Sequence, residues 1–159
     1  NYYGRYMDDI YVISDDKDEL EDILKNIKRI ANELGLTLSK NKTHITPLHK
    51  GFTFLKIKYN ILDDGRILRR VVPKAITRER RKLKSYRRKL DLGELPYSEV
   101  EQAFKTWYYN YIKFDSRRSV HEVLRLFLSL FCNEIQFYSN DVKLLTLLEK
   151  TTLIREYAK

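Results

Sequence analysis

Two adjacent carboxylates, Asp8 and Asp9, stand between runs rich in Tyr, Ile and Val at residues 2–6 and 10–14. Side by side at an exposed tip they repel each other and gain nothing from packing. The pairing makes chemical sense where a divalent cation neutralises it, and an all-oxygen donor set suits Mg2+ or Mn2+. Two such ions roughly 3.5–4 Å apart promote phosphoryl transfer to a hydroxyl, one activating the attacking oxygen and one steadying the leaving group. Most Asp-Asp pairs are plain solvated turns or caps. Asp15-Asp16, at a helix start, and Asp63-Asp64, before Gly65, are read that way.

The flanking β-prone runs predict a hairpin with both aspartates at its tip. Leu20, Ile23, Leu24, Ile27, Ile30, Ala31 and Leu34 then recur at helical spacing, with Asp16 as N-cap, Glu19 three residues on and Gly35 just past the end. Period two returns with Leu55, Ile57, Tyr59 and Ile61 on one strand face and Phe54, Lys56 and Lys58 on the other. Asp63-Asp64-Gly65 turns the chain into a second strand, Ile67 to Val72.

Everything from Lys74 on reads as helical. A basic helix with a thin seam (Ile76, Leu83, Tyr86, Leu90) breaks at residues 92–96. Capping boxes Ser98-x-x-Glu101 and Ser119-x-x-Glu122 open two more helices. The first buries Val100, Ala103, Phe104, Trp107, Tyr108 and Tyr111, so this aromatic stripe is core rather than a base-stacking platform; the second buries Val120, Val123, Leu124, Phe127 and Phe131. Residues 133–159 predict one or two further helices, broken near Asn140-Asp141. The fold class is α+β, with the domain boundary near Pro73.

Charge is sharply partitioned. Arg66 to Leu90 holds twelve Lys/Arg and one acid, a net +11, while the remaining residues of this +9 chain sum to −2. Charged helix faces normally mix signs, so this one predicts a polyanionic partner contacted through its phosphates, by Arg70, Lys74, Arg78, Arg81, Lys82, Lys84, Arg88 and Lys89. On the basic helix these charges are expected to spread round most of the circumference. The opposite pole lies at Asp8 to Asp22, where eight acids are interrupted by only one base, Lys17. No apolar run is long enough to span a bilayer. A single cysteine, Cys132, excludes an intrachain disulfide framework and fits a reducing cytoplasm. His44, His49 and His121 lack ligand-like spacing.

Tyr6-Met7-Asp8-Asp9, preceded by Arg5 and followed by Ile10-Tyr11-Val12-Ile13, resembles the catalytic hairpin of reverse transcriptases. The segment Leu34-Gly35-Leu36-Thr37-Leu38-Ser39-Lys40-Asn41-Lys42-Thr43 and then Gly51-Phe52-Thr53-Phe54-Leu55-Lys56 are similar to family segments in the same order, the latter the primer-grip strand. Gln102-Ala103-Phe104-Lys105-Thr106-Trp107 resembles the thumb of bacterial retroelement enzymes of the retron, diversity-generating and group II intron lineages, with the diversity-generating or prophage type favoured.

The resemblance implies an RNA-directed DNA polymerase segment: the C-terminal part of the palm over 1–73, a helical thumb over 74–132 and a helical extension over 133–159. Asp8 would be a direct metal ligand and Asp9 a weaker or indirect one, with two Mg2+ or Mn2+ ions in the complete site. Tyr6 and Met7 would meet the primer end or incoming nucleotide, Lys42 the triphosphate, and Phe54, Leu55 and Lys56 the primer. Lys56 departs from the family, which usually has Gly there. Implied partners are an RNA template, a DNA primer or RNA–DNA duplex, dNTP and the rest of the polymerase chain in a bacterial cytoplasm, with no membrane.

The chain opens at Asn1 rather than Met and is read as cut from a longer protein. The family's first catalytic aspartate is expected upstream, so the chain alone is expected not to polymerise. The competing readings are a non-catalytic, maturase-like RNA-binding module, which explains charge and thumb but not Asp8-Asp9, and a nucleotide cyclase, which should lack the basic helix.

Overall fold

The computed structural model describes residues 2–144, 146 and 147. It is α+β: strands β1 (Tyr2–Tyr6) and β2 (Asp9–Ile13), helix α1 (Lys17–Glu33), strands β3 (Phe52–Phe54), β4 (Ile57–Ile61) and β5 (Ile67–Val71), then helices α2 (Pro73–Asp91), α3 (Tyr97–Tyr111), α4 (Arg117–Leu130) and α5 (Cys132–Tyr138). A 3-10 turn at Leu48–Lys50 precedes β3. Strands β1 and β2 form one sheet and β3-β4-β5 another. Residues 145 and 148–159, part of the expected C-terminal extension, lie outside the described residues.

The chain divides into two compact units, residues 1–55 with 59–67, and residues 56–58 with 68–159. Their interiors differ. In the first unit Ala31 is the one fully buried apolar residue among those described, and the α1 stripe is half-buried at Leu20, Ile23, Leu24 and Ile27 but exposed at Ile30 and Leu34. The second unit has a dry core. Leu83 of α2, Val100 and Phe104 of α3, Val120, Val123, Phe127 and Phe131 of α4 and its cap, and Ile135 of α5 are all essentially inaccessible. Phe104 and Phe127 stack face to face with centroids 3.9 Å apart. Of the aromatic stripe of α3, Phe104 is core as its spacing predicts, while Trp107, Tyr108 and Tyr111 are half-buried.

Local chemistry sets the helix ends. Asp16 caps α1, its Oδ1 accepting from the N–H groups of Asp18 (2.9 Å) and Glu19 (3.3 Å). At the other end Gly35 takes φ +69°, and its N–H and that of Leu36 donate to Asn32 and Ala31 in a Schellman motif. Gly93, at φ +72°, ends α2 in the same way, with Glu94 donating to Lys89.

Both downstream capping boxes are corrected. Helix α3 starts one residue before Ser98, with Pro96 as N-cap. Glu101 turns inward, accepting from the Ser139 hydroxyl and pairing with Lys105. Helix α4 is entered from Ser116, whose hydroxyl accepts from the Val71 N–H, while Glu122 pairs with Arg80. In both boxes the glutamate pairs with a cation, Lys105 on the same helix or Arg80 on α2.

The expected continuous strand through residues 54–61 is also corrected. Leu55 and Lys56 adopt φ +48° and +66°, a two-residue turn with the positive dihedrals of type I′ that joins β3 to β4. Period-two alternation runs through so short a turn without a break, and no Asn-Gly marks it.

Candidate functional site

Strands β1 and β2 pair antiparallel with Tyr2 opposite Ile13, Gly4 opposite Tyr11 and Tyr6 opposite Asp9. The loop is therefore Met7 and Asp8, and Asp9 is not at the tip but opens β2. Two-residue hairpin loops favour turns with positive φ at the first position, and Met7 supplies it at φ +53°. That region is unfavourable for a residue with a Cβ. Arg5 Nε donates to the Met7 carbonyl at 2.8 Å. Met7 is 72% exposed and Tyr6 52%.

Neither the Asp8 nor the Asp9 carboxylate has a hydrogen bond or ion pair among the described residues. Their oxygens are exposed hard donors, and they fit a divalent cation as two of its ligands. No group of three or more His, Cys, Asp or Glu side chains gathers among the described residues.

The hairpin and β3 meet through aromatic rings. A Cβ on Gly4 would lie 2.3 Å from Tyr11 Cζ, so the glycine makes room for the Tyr11 ring. That ring stands edge-on to Phe54, centroids 5.2 Å apart. Phe54 thus lies beside the strand that begins at Asp9, while Leu55 and Lys56 occupy the turn after it. Lys56 sits at φ +66°, a conformation that glycine adopts without strain. Lys42 follows α1 in a turn where its own N–H and that of Thr43 donate to the Ser39 carbonyl. Its side chain is exposed, and no hydrogen bond or ion pair joins it to Asp8 or Asp9.

The basic segment sorts into two classes. Arg80 pairs with Glu122 at 2.8 Å. Arg87 donates to Glu134 (2.7 Å) and the Leu130 carbonyl (3.1 Å), pairs with Asp91, and lies over the Phe131 ring. Arg66 pairs with Asp64, and Arg69 lies over Phe114. Half-buried Lys82 lies over the Tyr86 ring at 5.1 Å and 3.8 Å from Glu79. The remaining seven, Arg70, Lys74, Arg78, Arg81, Lys84, Arg88 and Lys89, are exposed and lack a carboxylate partner among the described residues. At 100° per residue, the six on α2 fall within an arc of about 140°. The free charge is therefore a stripe on one face rather than a collar, because Arg80 and Arg87 point towards α4 and α5.

Sequence reasoning missed Glu79, which is 5% exposed within the apolar seam. Its Oε1 has no hydrogen-bond partner among the described residues, and burial raises its pKa against the pull of Lys82 and Arg78. The signal was there: Ile76, Glu79, Leu83, Tyr86 and Leu90 follow one another at steps of three and four. Also missed was the cluster in which Lys105 bridges Glu101 and Asp141, the latter at 2.8 Å. The hydrogen bond from Lys105 lowers the Asp141 pKa.

Residues 1–59 match the family model described as reverse transcriptase (RNA-dependent DNA polymerase). The matched stretch takes in the β1–β2 hairpin, α1, β3 and the turn bearing Lys56, and it supports a reverse transcriptase-type polymerase segment there. No curated protein and no solved structure matches the chain. No described helix is long and apolar enough to cross a membrane.

Proposed function

We propose that this chain carries part of the metal-binding palm and the duplex-gripping thumb of a bacterial retroelement reverse transcriptase, an RNA-directed DNA polymerase. The observation that carries the reading is a strained two-residue hairpin that presents two unpartnered carboxylates, inside the stretch that matches the reverse transcriptase family. Residues 1–73 are the palm part, 74–132 the thumb and 133–159 an extension.

Asp8 and Asp9 hold Mg2+ or Mn2+ as two of the site's donors, Asp8 directly and Asp9 more weakly. When bound, the two ions of the complete site supply charge neutralisation at the attacking and leaving oxygens. The chain's own residues do the positioning. Tyr6 and Met7, exposed beside the carboxylates, meet the primer end or incoming dNTP. Phe54, Leu55 and Lys56 support the primer strand, with Lys56 reaching a phosphate where glycine would let the backbone approach. Lys42 offers a cation to the triphosphate. The free stripe of α2, with Arg70, takes the phosphates of an RNA–DNA duplex; Lys82 serves it from the edge of the stripe. Phosphate contacts hold a duplex without reading its sequence, as copying an arbitrary template requires.

The test is Asp8→Asn in the full-length polymerase. Loss of cDNA synthesis by about 100- to 1000-fold with RNA affinity unchanged is expected, the range that removing transition-state charge stabilisation costs. Undiminished synthesis would end the reading and favour a non-catalytic, maturase-like RNA-binding module.

A further inference from the structure

We propose that Arg5 is a positioning residue for the carboxylate pair, holding through the Met7 carbonyl the strained turn that aims Asp8. The inference rests on the metal-binding reading of Asp8 and Asp9.

Three observations carry it. Met7 occupies φ +53°, a conformation from which an L residue tends to relax. Packing gives the turn little support: Tyr2, Tyr3, Tyr6, Met7, Ile10 and Tyr11 are all more than a third exposed. Beyond the Tyr6–Asp9 ladder pair that closes the loop, the Arg5 Nε–Met7 carbonyl bond at 2.8 Å is a local clamp on the turn itself.

The clamp acts on Asp8 by covalent geometry. The Met7 carbonyl belongs to the planar peptide joining Met7 to Asp8, so fixing that oxygen fixes the plane and the Asp8 N–Cα bond, leaving only the Asp8 φ to set its Cα–Cβ direction. Arg5 pairs with Ile10 in the ladder, and Tyr6 with Asp9. Side chains alternate along a strand, so Arg5 leaves the face opposite to Asp9. Arg5 makes no ion pair with either carboxylate among the described residues. Here it is committed to a carbonyl, and both carboxylates keep their oxygens for a cation.

Side-chain chemistry separates a clamp from a charge effect. Gln carries an N–H donor at the same number of bonds from Cα as Arg Nε, without the charge. Met keeps the unbranched stem and has no donor. Glycine at position 7 adopts the positive φ freely and should need no clamp.

The experiment titrates Mn2+ into the full-length polymerase without substrates, reading free Mn2+ by electron paramagnetic resonance. It is paired with the Mg2+ concentration for half-maximal primer extension. Arg5→Met is expected to weaken Mn2+ binding about fivefold, the scale of one lost hydrogen bond. Arg5→Gln should retain most of the affinity. In a Met7→Gly background, Arg5→Met should cost less than about twofold, a coupling that a double-mutant cycle isolates. Equal losses in both backgrounds, or Gln as poor as Met, would overturn the clamp. So would unchanged affinity in Arg5→Met. Should Arg5→Met fail to melt cooperatively by circular dichroism, the Gln variant and the Met7→Gly pair with Arg5→Ala decide in its place. Asp8→Asn keeps the two levels apart: if it leaves Mn2+ binding intact, the metal reading itself fails whatever Arg5 does.

Discussion

Lys56 carries two opposed demands. Its φ of +66° belongs to the left-handed region, where an L side chain costs about 1–2 kcal/mol. Replacing it with glycine relieves that strain, but glycine's greater unfolded-state freedom offsets roughly 0.5–1 kcal/mol of the gain. Lys56→Gly is therefore expected to stabilise the chain by up to about 1 kcal/mol. If the ammonium also serves a primer phosphate, the same variant should bind primer–template more weakly at low salt. Thermal melting and a duplex-binding titration on one preparation separate the two. A Lys56→Gly protein less stable than the parent would show that the turn is not strained there. The same turn shows where a sequence falls short. Asp8-Asp9 was legible, among three Asp-Asp pairs, because of its frame of β-prone runs on either side. Leu55-Lys56 was not, because neither residue advertises a positive φ and alternation passes through a two-residue turn undisturbed.

At the scale of the element, the inner face of α2 carries a group at odds with its surroundings. Ile76, Glu79 and Leu83 are all buried, yet the Glu79 Oε1 finds no hydrogen-bond partner among the described residues. Lys82 at 3.8 Å gives a weak ion pair at best. Burial disfavours the charged form and raises the Glu79 pKa above its ordinary 4.5. The native state then holds a proton that the unfolded state has released, and stability falls as pH rises from about 4.5 towards the folded pKa. Glu79→Gln, which keeps the shape and drops the charge, should be more stable near pH 7 by roughly 1–2 kcal/mol, the scale of an unsatisfied buried polar group. The advantage should shrink to nothing below pH 4.5. Parallel melting curves at pH 4 and pH 7 measure it, and a pH-independent difference would contradict the linkage. The helical periodicity of α1, α3 and α4 and the breaks at Gly35 and Gly93 were readable because apolar spacing and C-terminal glycines act locally. The starts of α3 and α4 were not. Glu101 and Glu122 found partners distant in sequence, Ser139 and Arg80, that no local window contains.

At the scale of the whole chain, twelve bases in one segment overstate the charge available to a ligand. Arg80 and Arg87 are tied to Glu122 and Glu134, and Arg66 to Asp64. Seven exposed cations remain free of carboxylate partners among the described residues, six of them along one face of a helix about 28 Å long. If about five neutralise phosphates of a duplex, the logarithm of the binding constant should fall against that of salt concentration with a slope of about −4 to −5. Arg78→Gln, Arg81→Gln and Arg88→Gln together should flatten that slope by up to about 3 while leaving the melting temperature nearly unchanged. Arg87→Gln should do the reverse. It carries the same formal charge but is bound to Glu134, Asp91 and the Leu130 carbonyl and lies over Phe131, so its loss leaves part-buried acceptors unpaired. Its melting point should drop while the salt slope stays within about one unit of the parent's. Filter binding across a salt series with all three proteins distinguishes a directed stripe from bulk basicity. Were every arginine to contribute equally to the slope, net charge rather than the free face of α2 would govern the contact with nucleic acid.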